Sequence, residues 1–353
     1  MFKDIKQVMK DSVLYGIGNV AVKLVGFILI PLYTDAEYFS TADYGLMGLL
    51  EVTSQILIAV MGLSLYSGLI RWYWDAEYRD KQKTIFFTTL LFTILTSLCI
   101  GSVLWLNVGE LSALLVQQEG YSLGGELPYI LQLLILTSML GAVVEVPQNL
   151  LRLQRKPIYY SLTNIVRLFV TLVLTIYFTI SLHRGVSGVY EAQLVGIVIQ
   201  LLMVLPLVIK NSSCRVDRRC TIQLLAYSYP LVFPAIVGSL LTVFDRYIIN
   251  HFQGLDDVGF YSLGYKVGNT LKVFIVTSVQ LALTPLLMKK MNDPDNKQFY
   301  SKVLTYFSFG LMFCALGLNL FSREGIVWVT TNPDYIEALY VIPFVTYAIF
   351  FSM

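Results

Sequence analysis

Apolar residues run along this chain in blocks of about twenty or more, separated by short polar segments. Windows of about 19 residues, the length a helix needs to cross a bilayer, place spans near 12–33, 45–70, 84–108, 128–151, 157–180, 187–209, 221–250, 259–286, 299–322 and from about 336 onward. The pattern predicts ten membrane-spanning helices, because a helix satisfies its own backbone polar groups where lipid offers no partner. The first block is a span and not a cleaved signal: it is long, holds Lys23 at its centre, and has no small-residue cleavage site before the acidic segment 35–43.

Composition sharpens this into an all-α polytopic membrane protein. Of 353 residues, 56% are hydrophobic and 14% charged, against about 25% charged in soluble chains, and the mean hydropathy is +0.67. No connection is long enough for a separate domain, the largest lying around 109–127. None carries a carboxylate pair, a Ser/His/Asp set or a glycine-rich phosphate loop, so no catalytic residue and no cofactor is expected. The net charge of +2 comes with no basic block interleaved with aromatics outside the spans, which argues against nucleic acid. Cys214 and Cys220 match neither a zinc pair nor a redox dithiol, and His183 and His251 stand alone, so no metal site is expected.

Lysine and arginine fix the orientation, since loops rich in them stay in the cytoplasm. Eighteen of the 25 fall at the amino end and in alternate loops (71–83, 152–156, 210–219 and 289–302), while the opposite side holds Arg184 and Arg323 and collects acidic residues such as Asp35, Glu37, Asp43, Asp256 and Asp257. The amino terminus is therefore expected in the cytoplasm.

Shifting the sequence by 214 lays Asp43, Tyr44, Gly45, Leu46 over Asp257, Val258, Gly259, Phe260. Six spans separate the copies, and an even number gives two units of the same orientation, as in transporters built from parallel repeats around a central cleft. The expectation is a six-helix lobe over 1–210 and a second lobe over 211–353. The second holds four helices before Met353, so it is expected to be incomplete.

Five cations and three anions lie inside the spans: Lys23, Arg167, Arg246, Lys266 and Lys272 against Glu51, Glu145 and Asp245. Each costs about 2.5 to 3.5 kcal/mol at a helix centre on insertion scales, and Lys23, Arg167 and Lys272 fall nearest the midpoints of their spans. Arg246, Lys266 and Glu145 lie close enough to a membrane face for a long side chain to reach headgroups. Helical spacing puts Thr163, Asn164, Arg167, Thr171 and Thr175 on one face, and Tyr265, Asn269, Lys272 and Gln280 approximately on another; Asn19 precedes Lys23, and Glu51 precedes Gln55, by one turn. Such stripes are expected to meet around a wet cavity, and its positive balance favours anionic cargo such as phosphate or acidic sugar. Glu51 or Asp245 would then be the group that binds a proton or sodium and couples transport to a gradient.

Several stretches resemble the Wzx-type flippases of polysaccharide repeat units, within the multidrug/oligosaccharidyl-lipid/polysaccharide exporter superfamily. They are Pro31, Leu32, Tyr33, Thr34 with Asp43, Tyr44, Gly45; Arg71, Trp72, Tyr73; Arg152, Gln154, Lys156, Pro157 with Arg167; and Gly185, Val186, Gly188. The most specific region holds Tyr229, Pro230, Leu231, Pro234, then Asp245, Arg246, Tyr247, Ile248, then Val258, Gly259, Tyr261, Ser262, Tyr265, Lys266 and Pro285. The resemblance implies two six-helix lobes in a bacterial inner membrane and alternating access. It implies as cargo an undecaprenyl-pyrophosphate-linked oligosaccharide, met by Lys23, Arg167, Arg246, Lys266 and Lys272, with membrane lipid and polysaccharide polymerases as partners. A peptidoglycan-precursor flippase or a multidrug exporter of the same superfamily is the alternative, although the exporter would favour an acid-lined cavity. A membrane-embedded polymerase would carry a large outer loop or a metal-binding carboxylate motif, and neither is seen.

Overall fold

The structure, a computed structural model, describes residues 26–115, 125–213, 215–277, 279–280 and 296–351. Among the described residues it is helical, with no strand, and eight helices are long and apolar enough to cross a membrane. Of the ten expected spans, most of 12–33 and part of 259–286 lie outside the described residues.

By its contacts the chain divides into two compact units: residues 1–46 with 255–353, and residues 47–254. The second unit contains α1 (Thr41–Gly62, which begins in the first), α2 (Leu65–Trp72), α3 (Gln82–Leu106), α4 (Val108–Leu115), α5 (Leu127–Leu153), α6 (Pro157–Ile176), α7 (Gly185–Asn211) and α8 (Arg218–Phe252). Helix α5 lies at its centre. It buries Ile130, Leu131, Leu134, Ile135 and Leu150 and packs on both α3 and α7. Small residues let these helices approach closely: Gly141 faces Ile58 and Ile197, and Gly196 lies under Thr171 and the Arg167 carbonyl. The lipid-facing side is equally regular. On α6, Ile158, Leu162, Ile165, Phe169, Val173 and Ile176 recur at three- and four-residue steps and are exposed, as expected for a face turned to acyl chains.

The apolar block at 45–70 is not one helix. Leu63 and Ser64 adopt positive φ (44° and 50°) and separate α1 from α2, a conformation that is unfavourable for residues with a Cβ. Local partners compensate: Thr96 Oγ1 donates to the Met61 carbonyl at 2.8 Å, and Ser64 Oγ donates to the Leu231 carbonyl of α8 at 3.4 Å. The polar stretch at 109–127 likewise begins as helix α4 rather than as an open loop. Helix α8 runs for 35 residues, about 52 Å at 1.5 Å per residue, so it extends beyond a hydrocarbon core of about 30 Å.

At its amino end α8 is capped by Asp217, whose side chain accepts from the Arg219 and Cys220 amides and, at 2.6 Å, from Lys81 Nζ. The Lys81 ammonium and these amides hold the Asp217 carboxyl below the usual carboxylate range. A depressed folded value contributes stability above the unfolded value of about 3.9 and loses it as pH falls through the folded one. Asp217→Asn, which keeps a cap but no charge, is therefore expected to lose part of the acid-dependent fall in melting temperature below about pH 4. Melting curves of the detergent-purified protein at stepped pH check this, and an unchanged acid limb would contradict it.

The other unit contains the one-turn helix Ile30–Tyr33, the first residues of α1, then α9 (Leu255–Gly268), a π-helical turn Leu271–Val276, α10 (Asn296–Leu320), α11 (Ser322–Val329), a 3-10 segment Pro333–Tyr340 and α12 (Ile342–Phe351). Leu271, Val276, Leu311, Val345 and Ile349 form its apolar cluster. The two segments that the 214-residue shift aligns meet here in a reciprocal contact. A Cβ on Gly45 would overlap the Leu255 carbonyl and lie 3.0 Å from the Gly259 nitrogen; one on Gly259 would lie 2.6 Å from the Thr41 carbonyl and 3.3 Å from the Gly45 nitrogen. Thr41 and Leu255, like Gly45 and Gly259, are 214 positions apart, so each repeat presents the same atoms to the other, as a pseudo-two-fold relation requires. Thr41 also donates its hydroxyl to Asp256, and Tyr335 stacks edge-on against both Tyr44 and Phe260.

Candidate functional site

Within unit 47–254, the polar stripe of α6 divides its work between packing and a cavity. Thr163 and Thr175 are buried, and Thr163 accepts from the Gln148 amide of α5 at 2.9 Å. Asn164 and Arg167 instead line a chamber of about 230 Å³ together with Ser54 and Ile58 of α1, Glu145, Gln148 and Arg152 of α5, and Gln193 and Gln200 of α7. That exceeds the ~150 Å³ engineered cavity that holds a benzene, and its walls are largely amides and charges.

The chamber's groups are held by a chain of neutral hydrogen bonds. Arg167 Nη1 donates to Gln200 Oε1 at 3.1 Å, Gln200 Nε2 to Asn164 Oδ1 at 3.0 Å, and Asn164 Nδ2 to the Tyr160 carbonyl at 2.9 Å. A guanidinium has five N–H donors, so this single bond to a neutral amide leaves most of Arg167's capacity for a ligand. Arg152 lies over the Tyr160 ring at 4.7 Å and donates to its hydroxyl. Gln148 is 8% exposed, and its Oε1 is buried without a hydrogen-bond partner, leaving an acceptor for a hydroxyl or a water. Two guanidiniums, one carboxylate and several amides suit an anion that also carries hydroxyl groups. Among the described residues no group of three His, Cys, Asp or Glu side chains could hold a metal ion.

Glu145 faces two spaces. Besides the chamber it lines a second cavity of about 300 Å³ with Gln55, Gly62, Ser64, Tyr66, Ala235 and Ser239, at the break between α1 and α2. Pro147 lies two residues beyond it and cannot donate to the Val143 carbonyl, so α5 lacks one rung beside the carboxylate. The spacing on its own allowed a side chain reaching for headgroups; here Glu145 is half-buried between the two cavities. Gln148 and Arg152 stand three and seven positions after Glu145, on the same face of α5. That spacing was the signal that could have identified α5 as the second wall.

The remaining expected residues are distributed as follows. Lys23 and Asn19 lie outside the described residues. Glu51 and Gln55 are exposed, Gln55 on the second cavity. Arg246 is 8% exposed on α8, where its backbone N–H donates to Asp245 Oδ1 at 2.8 Å. In the other unit, Lys266 sits over the Tyr44 ring at 5.4 Å, Asn269 is half-buried with its backbone N–H on the Tyr265 carbonyl, and Lys272 is exposed on the π-helical turn. That turn shifts the helical phase, and the expected stripe is broken: Tyr265 packs on the apolar cluster while Lys272 and Gln280 are exposed. The structure thus joins Arg167 to Asn164, and places Gln55 beside Glu145.

A family model described as "Polysaccharide biosynthesis protein" matches residues 8–291. The chain belongs to this family. No curated protein matches it, but solved structures do in shape. An inward-facing conformation of a multidrug resistance MATE family transporter of the MOP superfamily aligns with a TM-score of 0.69 at 15% identity, covering 96% of this chain and 78% of that one. An outward-facing conformation of such a transporter gives 0.65 at 15% identity over 97% and 78%, and a Vibrio cholerae MATE transporter 0.65 at 14% over 98% and 80%. This member of the polysaccharide biosynthesis family therefore shares its fold with those transporters.

Proposed function

We propose that this protein is a flippase, carrying a lipid-pyrophosphate-linked oligosaccharide across a bacterial inner membrane for surface polysaccharide synthesis. The carrying observation is the chamber around Arg167, two guanidiniums against one carboxylate with the unpartnered Gln148 Oε1 beside them to accept from a sugar hydroxyl, in a member of a polysaccharide biosynthesis family with a transporter fold. Residues 1–210 and 211–353 serve as the two lobes of an alternating-access carrier, with the amino terminus in the cytoplasm. Lys23, Arg246, Lys266 and Lys272 are proposed as further cationic contacts of the cargo, and Glu51 or Asp245 as the ion-coupling group. A multidrug exporter fits the fold equally well, but a net positive chamber disfavours cationic drugs.

Complementation tests this reading. The full-length gene, expressed in a strain lacking its own flippase, is expected to restore surface polysaccharide. A strain that regains drug resistance but no glycan would support the exporter instead.

A further inference from the structure

We infer that Glu145 is an internal competitor for the anionic part of the cargo: its carboxylate and a phosphate take turns as partners of Arg167 and Arg152. This rests on the reading of the Arg167 chamber as an anion site, and assigns the residue that lets the anion go.

Three charges share the chamber, Glu145 and Arg152 on α5 and Arg167 on α6. Among the described residues Glu145 forms no ion pair, while Arg167 is held by the neutral Gln200 amide and Arg152 by the Tyr160 hydroxyl and ring. A half-buried carboxylate is stabilised by a positive partner, and a guanidinium by a negative one, yet here the carboxylate and the two guanidiniums line one chamber without pairing. The arrangement has room for an anion between them. The orphan Gln148 Oε1 is an independent sign that the space is built for a ligand, since a buried acceptor of this kind is ordinarily satisfied. The other groups lining the two cavities with Glu145 are neutral on each wall: Gln55 and Ile58 of α1, Ser64 at the break after it, Tyr66 of α2, Asn164 of α6, Gln193 of α7 and Ser239 of α8. Among the described residues the carboxylate is thus the one acidic side chain lining either cavity, and it opposes a bound anion while stabilising the emptied guanidiniums.

The test is binding of inorganic pyrophosphate to the purified full chain in lipid nanodiscs, by calorimetry. Glu145→Gln is expected to tighten binding about tenfold, because a unit negative charge near the ligand is removed, and Glu145→Asp to bind like the parent. The gain from Glu145→Gln is expected to shrink to about twofold or less in an Arg167→Gln background, which separates competition from a packing effect. Unchanged or weaker binding by Glu145→Gln, with Arg167→Gln still weakening it, would overturn the inference and leave the anion chamber standing. If Arg167→Gln alone leaves binding unaltered, the chamber reading and the inference both fall. Should Glu145→Gln not fold, Glu145→Asn carries the same expectations.

Discussion

Gly45→Ala is expected to destabilise the protein by about 3 kcal/mol, at the upper end of what overpacking usually costs. Its new methyl would overlap the Leu255 backbone carbonyl, and a carbonyl at the start of a helix cannot swing aside as a side-chain tip can. The start of α9 would have to move, and with it the reciprocal contact of Gly259 on Thr41 and the Thr41 to Asp256 hydrogen bond. The contrast is Gly101, where the atoms nearest an added Cβ belong to the flexible side chain of Met139. Gly310 and Gly317 in α10 have no atom within 4 Å of such a Cβ; alanine there is expected to stabilise, by up to about 1 kcal/mol from helix propensity. Melting of the detergent-purified variants decides between these signs. A Gly45→Ala protein that melts like the parent would mean that the crossing of the two repeats is not close-packed.

Arg167→Ala is expected to lower pyrophosphate affinity by about 10- to 100-fold, the effect of losing charge-assisted hydrogen bonds of about 1.5 to 3 kcal/mol, and to abolish complementation. Arg167→Lys should fall between the two, since a point charge replaces a planar fork that can take two phosphate oxygens. The variants are expected to reach the membrane in normal amounts, because Arg167 bonds a single neutral amide, and Gln200 keeps its other bond to Asn164 when the arginine is gone. Surface glycan fully restored by Arg167→Ala would remove Arg167 from the cargo path.

One wall of the cavity, Asn164 and Arg167 of α6, was legible in the sequence. Thr163, Asn164, Arg167 and Thr171 were identifiable as one face because side-chain direction in a helix follows sequence spacing, and that face is the one turned to α5 and α7. What spacing could not give was the opposite wall. Gln148 and Arg152 read as a span end and a basic loop, and Glu145 as an acid near headgroups, because a helix seen alone has no neighbour to enclose it. The phase of the stripe at Tyr265 and Lys272 changes at the π-helical turn Leu271–Val276, whose Leu271 and Val276 pack in one cluster with Leu311 and Val345.

From the sequence by itself came the all-α membrane class and the places of most spans. Block length and hydropathy are properties of one segment in lipid, and need no information about its neighbours. The two glycines 214 positions apart were also visible as a pair. Tertiary structure alone decided that those glycines meet, that α1 stops at Leu63 where Ser64 reaches the Leu231 carbonyl, and that Glu145 shares a chamber with Arg167. Each is a contact between residues distant along the chain, fixed by which helix lies alongside which and at what rotation.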